Sequence, residues 1–144
     1  MSAATDYLDR LVARAVQGVP VVRTMRLGLL DSYRPGFATK RWEPADDLLN
    51  ADGSMFGGYL AALADQVAAF AAMTVVPDGF AFRTINLALQ FVRVGRADAL
   101  NVEGRVVAQT KSLITVEVEL LKDADRSLVA KAQAQQMVVP LPTA

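Results

Sequence analysis

The 144-residue chain contains neither cysteine nor histidine. Without cysteine there is no disulfide, no thiolate metal site and no Cys-X-X-Cys redox pair, and the expected setting is a reducing cytoplasm. Without histidine, Ser-His-Asp and Cys-His machinery, imidazole general bases and the commonest metal sites are excluded. What remains for chemistry is carboxylates, backbone amides and water. An excess of one charge is also missing. Lysine plus arginine and aspartate plus glutamate each number 15, so no global field draws the chain to nucleic acid or an acidic membrane surface. Long hydrophobic runs are lacking too: the stretch from Met55 to Val76 is interrupted by Asp65 and Gln66 and has no basic flanks, which argues against a membrane span. Met1 to Leu11 carries Asp6, Asp9 and Arg10 where a signal peptide would need a basic start and an apolar run.

What is present is a 53% hydrophobic composition, enough to bury one core. Residues 1–144 read as one α+β domain, with a leading helix within 1–20 and a short tail at 140–144. Leu8, Leu11, Val12 and Ala15 have the spacing of one helix face over Asp6 to Val16, and Thr5 is available as its N-cap. Looser alternation over Val21 to Asp31 and Gly36 to Trp42, broken at Arg34-Pro35-Gly36, predicts a hairpin. Ala45 to Met55 has the Asp, Asn and Gly content of a loop. Gly58 to Val76 predicts the principal helix, stopped by Pro77, and its seven alanines allow a sheet to approach closely. Beyond Pro77 the period becomes two. Ile85, Leu87, Leu89 and Phe91 form one face of a strand from Phe82 to Val94. Three more strands follow, through Leu100 to Ala108, Ile114 to Leu120 and Leu128 to Ala134. Short breaks between them predict antiparallel neighbours in chain order.

Between Asp52 and Asp78 the one charged side chain is Asp65. A lone carboxylate among helical alanines is strongly disfavoured when fully buried, so it must meet water, a hydrogen-bond partner or a subunit boundary. It is either a solvated or paired surface group or a base. Gly57 and Gly58 stand at the helix start, where backbone N–H groups lack intrahelical partners and the dipole favours negative charge. They permit a tight turn, and they also supply donors for a developing oxyanion.

The run Leu49-Asn50-Ala-Asp-Gly53-Ser-Met-Phe56-Gly57-Gly58, followed by Leu63-Ala64-Asp65, resembles the signature of hotdog-fold acyl-CoA thioesterases of the PaaI type. Thr84-Ile-Asn-Leu-Ala-Leu-Gln-Phe91-Val-Arg93 resembles that family's next strand, and Gln109-Thr-Lys111-Ser112 its later turn. The resemblance covers about Val21 to Val138. It implies a long central helix wrapped by an antiparallel sheet, and an acyl- or aryl-CoA thioester as substrate. Asp65 would be the base or nucleophile, the Gly57 amide the oxyanion donor, and Asn50 a group orienting the thioester or the water. Phe56, Gly58, Gln66 and Thr84 would line the substrate site. Arg93, Arg96, Lys111 and Ser112 would hold coenzyme A, which enters as part of the substrate with no further cofactor and no metal. The resemblance also implies a homodimer or a dimer of dimers, with the site between subunits. Phe56 stands where the family usually has histidine, and Gln66 where threonine is common. That departure implies an alternative, a hotdog protein that binds acyl-CoA without cutting it.

Overall fold

A computed structural model describes residues 2–143. The chain forms α1 (Ala3–Val12), α2 (Pro20–Met25), β1 (Ser32–Arg34), β2 (Phe37–Trp42), a 3-10 turn (Asp46–Leu48), α3 (Gly57–Met73), β3 (Phe80–Phe91), β4 (Leu100–Gln109), β5 (Leu113–Lys122) and β6 (Leu128–Pro140). The strands make one antiparallel sheet in the order β1-β2-β4-β5-β6-β3. It wraps α3, which is the hotdog arrangement. The small residues of α3 allow close contact with the sheet. A Cβ built on Gly104 of β4 would lie 3.0 Å from a Val67 methyl and 3.1 Å from the Val67 carbonyl, so the glycine is needed for the approach. Ile114, Val116, Val118 and Leu120 of β5 and Ala130, Ala132 and Ala134 of β6 complete the buried layer, on the faces that the period of two predicts.

Several expectations need correction. The leading helix begins at Ala3, not Asp6, because Ser2 and not Thr5 is its N-cap; the Ser2 and Thr5 side chains close a reciprocal capping box. It ends at Val12, with Arg14 in the left-handed region. Val21 to Asp31 is no strand. Pro20 opens α2 at a position where its missing N–H costs nothing, and Arg26, at φ 55°, ends it. The hairpin is therefore the short one, β1 to β2. The principal helix stops at Met73, before Pro77, since Thr74 caps it and donates its hydroxyl to Ala71 O. The strands are not neighbours in chain order throughout. β3 pairs with β6 and β4 with β2, so the Val94 to Asp98 connection crosses the sheet, and β3 becomes an edge.

On β3 the register shifts between Thr84 and Asn86, a bulge. Leu87 and Leu89 of its expected apolar face are half-buried, while Ile85 and Phe91 are exposed. No helix among the described residues is long and apolar enough to cross a membrane.

Candidate active site

Asp65 lies on the half-buried side of α3 and accepts a hydrogen bond from the Thr84 hydroxyl at 2.9 Å. The same hydroxyl lies 2.9 Å from Gln136 Oε1. Gln136 is fully buried and, among the described residues, its Nε2 has no partner. One hydroxyl carries one proton, which cannot serve both oxygens. A half turn of the Gln136 amide resolves both problems: Nε2 then donates to Thr84, and Thr84 donates to the carboxylate. The strand pair β3 and β6 thereby fixes the side chain of a residue on the helix that the sheet wraps.

At the N-terminus of the helix, Phe56 is the N-cap residue with extended backbone and no capping side chain. The first helical amides to find an acceptor are those of Tyr59 and Leu60, both on Phe56 O. Among the described residues the N–H groups of Gly57 and Gly58 have no acceptor, leaving two aligned donors at the positive end of α3. Phe91 of β3 packs beside them, since a Cβ on Gly57 would sit 3.1 Å from its ring. Phe56 is 60% exposed and lies over Gly58. Asn50 spends its side-chain donors locally, on Ser54 Oγ and Met55 O, closing the turn that leads into α3.

Gln66 does not present a free amide. Its Nε2 donates to Gly28 O at 2.7 Å, and its Oε1 accepts from Lys40 Nζ. Lys40 also donates to Leu27 O and is 1% exposed. Burial lowers its pKa from 10.5 to about 7, against the opposing attraction of Asp31. A neutral amine has two N–H donors, and Lys40 has two acceptors. Tyr59 OH donates to Met25 O or Arg26 O, at 2.7 and 2.9 Å, and Trp42 packs on the Tyr59 ring. Sequence reasoning missed Lys40 and Tyr59 of this group, and Gln136. Lys40 shares the inward face of β2 with Ala38 and Trp42, and Gln136 that of β6 with Ala132 and Ala134. A polar residue on an apolar face was the available signal.

The expected coenzyme A residues fall into two groups. Arg93 lies beside Gly57 and Phe91 and donates to Leu128 O. Arg96 donates to Asp52 O just ahead of α3. Lys111 and Ser112 sit in the β4–β5 turn at the opposite end, where Val138 N donates to Ser112 O. One chain therefore brings Arg93 and Arg96 near Gly57, and keeps Lys111 and Ser112 apart from them. A cavity of about 360 Å³ opens beside Asp65 and Thr84, between α3 and the α1–α2 segment. Among the described residues no cluster of side chains could hold a metal ion.

The thioesterase superfamily matches residues 52–129, more than half of the chain. Among solved structures, a phenylacetic acid degradation-related protein from Ralstonia eutropha is 28% identical, covering 91% of this chain and 98% of that one, with a TM-score of 0.79. A Streptococcus mutans protein solved with acetyl-CoA bound is 25% identical over 79% of this chain and 90% of its own, with a TM-score of 0.71. A thioesterase family protein from Silicibacter pomeroyi shares the fold, with a TM-score of 0.80 at 18% identity over 93% of this chain and 99% of that one. No curated protein matches the chain.

Proposed function

The chain belongs to the thioesterase superfamily and is a thioester hydrolase, and from that premise we propose that it cleaves an acyl-CoA thioester to free acid and coenzyme A at a site shared by two copies. The observation that carries this reading is the pairing of two unsatisfied helix amides with one carboxylate on the same helix. Gly57 and Asp65 are eight residues apart, so they are separated by about 12 Å along α3. A single reacting carbon cannot lie within about 3 Å of both. The donors of one copy therefore act with the carboxylate of another.

The edge strand β3 supports that arrangement. Thr84 marks the level of Asp65 on β3, and Phe91 marks the level of Gly57. An antiparallel pair of β3 strands, two-fold about Ala88, sets Thr84 of one copy opposite Phe91 of the other, because the bulge at Ile85 puts both on the same sheet face. The amides and the carboxylate then face one another across the junction. The same operation carries Arg93 and Arg96 of the first copy toward Lys111 and Ser112 of the second, where they flank the pantetheine and phosphates of coenzyme A.

In this scheme Asp65 takes a proton from water as its oxygen attacks the thioester carbonyl carbon. The oxyanion forms against the Gly57 and Gly58 N–H groups. Collapse of the tetrahedral intermediate breaks the carbon–sulfur bond, and the proton held by Asp65 passes to the departing thiolate. Direct attack by Asp65 to give a mixed anhydride, later hydrolysed, uses the same atoms. Thr84 and Gln136 hold the carboxylate in place, Asn50 shapes the turn that presents the amides, and no further cofactor is required.

The test is thiol release from short, medium, long and aryl acyl-CoAs by wild type and Asp65→Asn. We expect the substitution to lower turnover by at least about a hundredfold, the scale for removing a positioned base. Near-normal turnover in the variant would remove Asp65 from the mechanism. Binding without thiol release by wild type would instead favour the acyl-CoA-binding alternative raised by Phe56.

A further inference from the structure

The cavity beside Asp65 is walled on one side by α3 residues Ala69, Phe70 and Met73 and on the other by Val21 and Met25 of α2. Half of it is thus built by a segment that lies before the residues matched to the family. The segment is held in place. Four consecutive carbonyls, those of Met25, Arg26, Leu27 and Gly28, each accept a side-chain donor from β2 or α3: Tyr59 at Met25, Trp42 at Arg26, Lys40 at Leu27 and Gln66 at Gly28. Two of the four donors, Tyr59 and Gln66, stand on the helix that carries Asp65. This clamp keeps the α2 wall from collapsing onto α3 and leaves the space preformed.

We propose that this cavity is the acyl subsite, and that it takes an uncharged acyl or aryl-acyl group of up to about a dozen non-hydrogen atoms. The proposal rests on the reading of Asp65 given above. The carboxylate and Thr84 are part of the cavity wall, so a thioester carbonyl beside Asp65 points its acyl chain inward. A water-sized group fills about 30 Å³, and about 360 Å³ therefore holds roughly a dozen such groups. The wall contains no lysine or arginine, and its one carboxylate is Asp65. A second carboxylate on the acyl group would be buried beside it without a counter-charge.

The experiment measures kcat/KM for straight-chain acyl-CoAs from acetyl to tetradecanoyl, one aryl-acyl-CoA and one ω-carboxyacyl-CoA, with wild type, Ala69→Phe and Val21→Phe. The two variants narrow the cavity from opposite walls, and Val21 is 54% exposed, so its replacement leaves the core intact. Calorimetry of the same acyl-CoAs with Asp65→Asn runs in parallel. For wild type, kcat/KM should rise about three- to fourfold per methylene until the cavity is full, and the ω-carboxy substrate should lag its neutral counterpart at least tenfold. The preferred length should fall by two or more carbons in both variants. Hydrolysis or affinity independent of length, or a preference that neither variant moves, overturns the subsite. If no acyl-CoA is cut while affinity for Asp65→Asn still climbs with length, the catalytic assignment fails and the subsite stands.

Discussion

Gly57 can be tested by a substitution that removes one atom pair and little else. Proline suits the first position of a helix, where its missing N–H has no intrahelical role. Phe56, at φ −71° and ψ 123°, already has the extended backbone that a residue before proline requires. Gly57→Ala adds the same Cβ against the end of the exposed Phe91 ring but keeps the N–H. Gly57→Pro should therefore turn over at least about a hundredfold more slowly than Gly57→Ala, the usual worth of an oxyanion donor. Equal rates in steady-state assays of the two variants would show that the amide does not touch the oxyanion. Both Gly57 and Asp65 were visible in the sequence, because a glycine pair at a helix start and a lone charge in an apolar helix stand out locally. Gln136 was not singled out, although it lies on the inward face of β6, since its role depends on Thr84, 52 residues away in sequence. Alternation tells which face a side chain takes; it does not tell what waits there.

At the scale of elements, α3 and the β4, β5 and β6 strands were legible because each is long and strongly periodic. The α2 turn was not, because six residues give too few positions to separate a period of 3.6 from one of two. Pro20 was the overlooked signal. Among the donors that hold this segment, Lys40 ties β2, α3 and the chain leaving α2 together, and that tie has a pH signature. Its pKa is about 7 in the fold against 10.5 outside it. Between these values the unfolded chain holds a proton that the folded chain does not, so stability rises with pH across that window. As pH falls toward 7 the contribution is lost, and below 7 the penalty is constant. The difference in unfolding free energy between wild type and Lys40→Met should grow in favour of wild type by up to about 1.4 kcal/mol per pH unit from 7 to 10. Tyr33, whose bond to Asp9 pushes it up to about 12, acts only above that range. Urea unfolding at several pH values measures the difference, and one that does not change with pH would mean that Lys40 is charged in the fold.

The whole molecule has two sheet edges of different character. β1 is three residues long, whereas β3 is twelve and carries exposed Ile85 and Phe91, leading into exposed Val92 and Val94. A long apolar edge is a liability unless it is paired, and pairing with a second copy about a two-fold axis satisfies both copies at once. That β3 would be an edge could not be read locally, because its partner β6 lies some 40 residues further on and the intervening strands pair elsewhere. A site shared between two copies, as proposed above, makes a prediction that no single-chain site can meet. Gly57→Pro and Asp65→Asn should each be nearly inactive as homodimers. In a heterodimer, one junction has both defects and the other has neither. Random mixing gives about half heterodimers, each with one intact junction of two, so dissociating and reassociating an equal mixture should restore about a quarter of wild-type activity. If donors and base belonged to one chain, every site in the mixture would keep a defect and the activity would stay at the level of the separate variants.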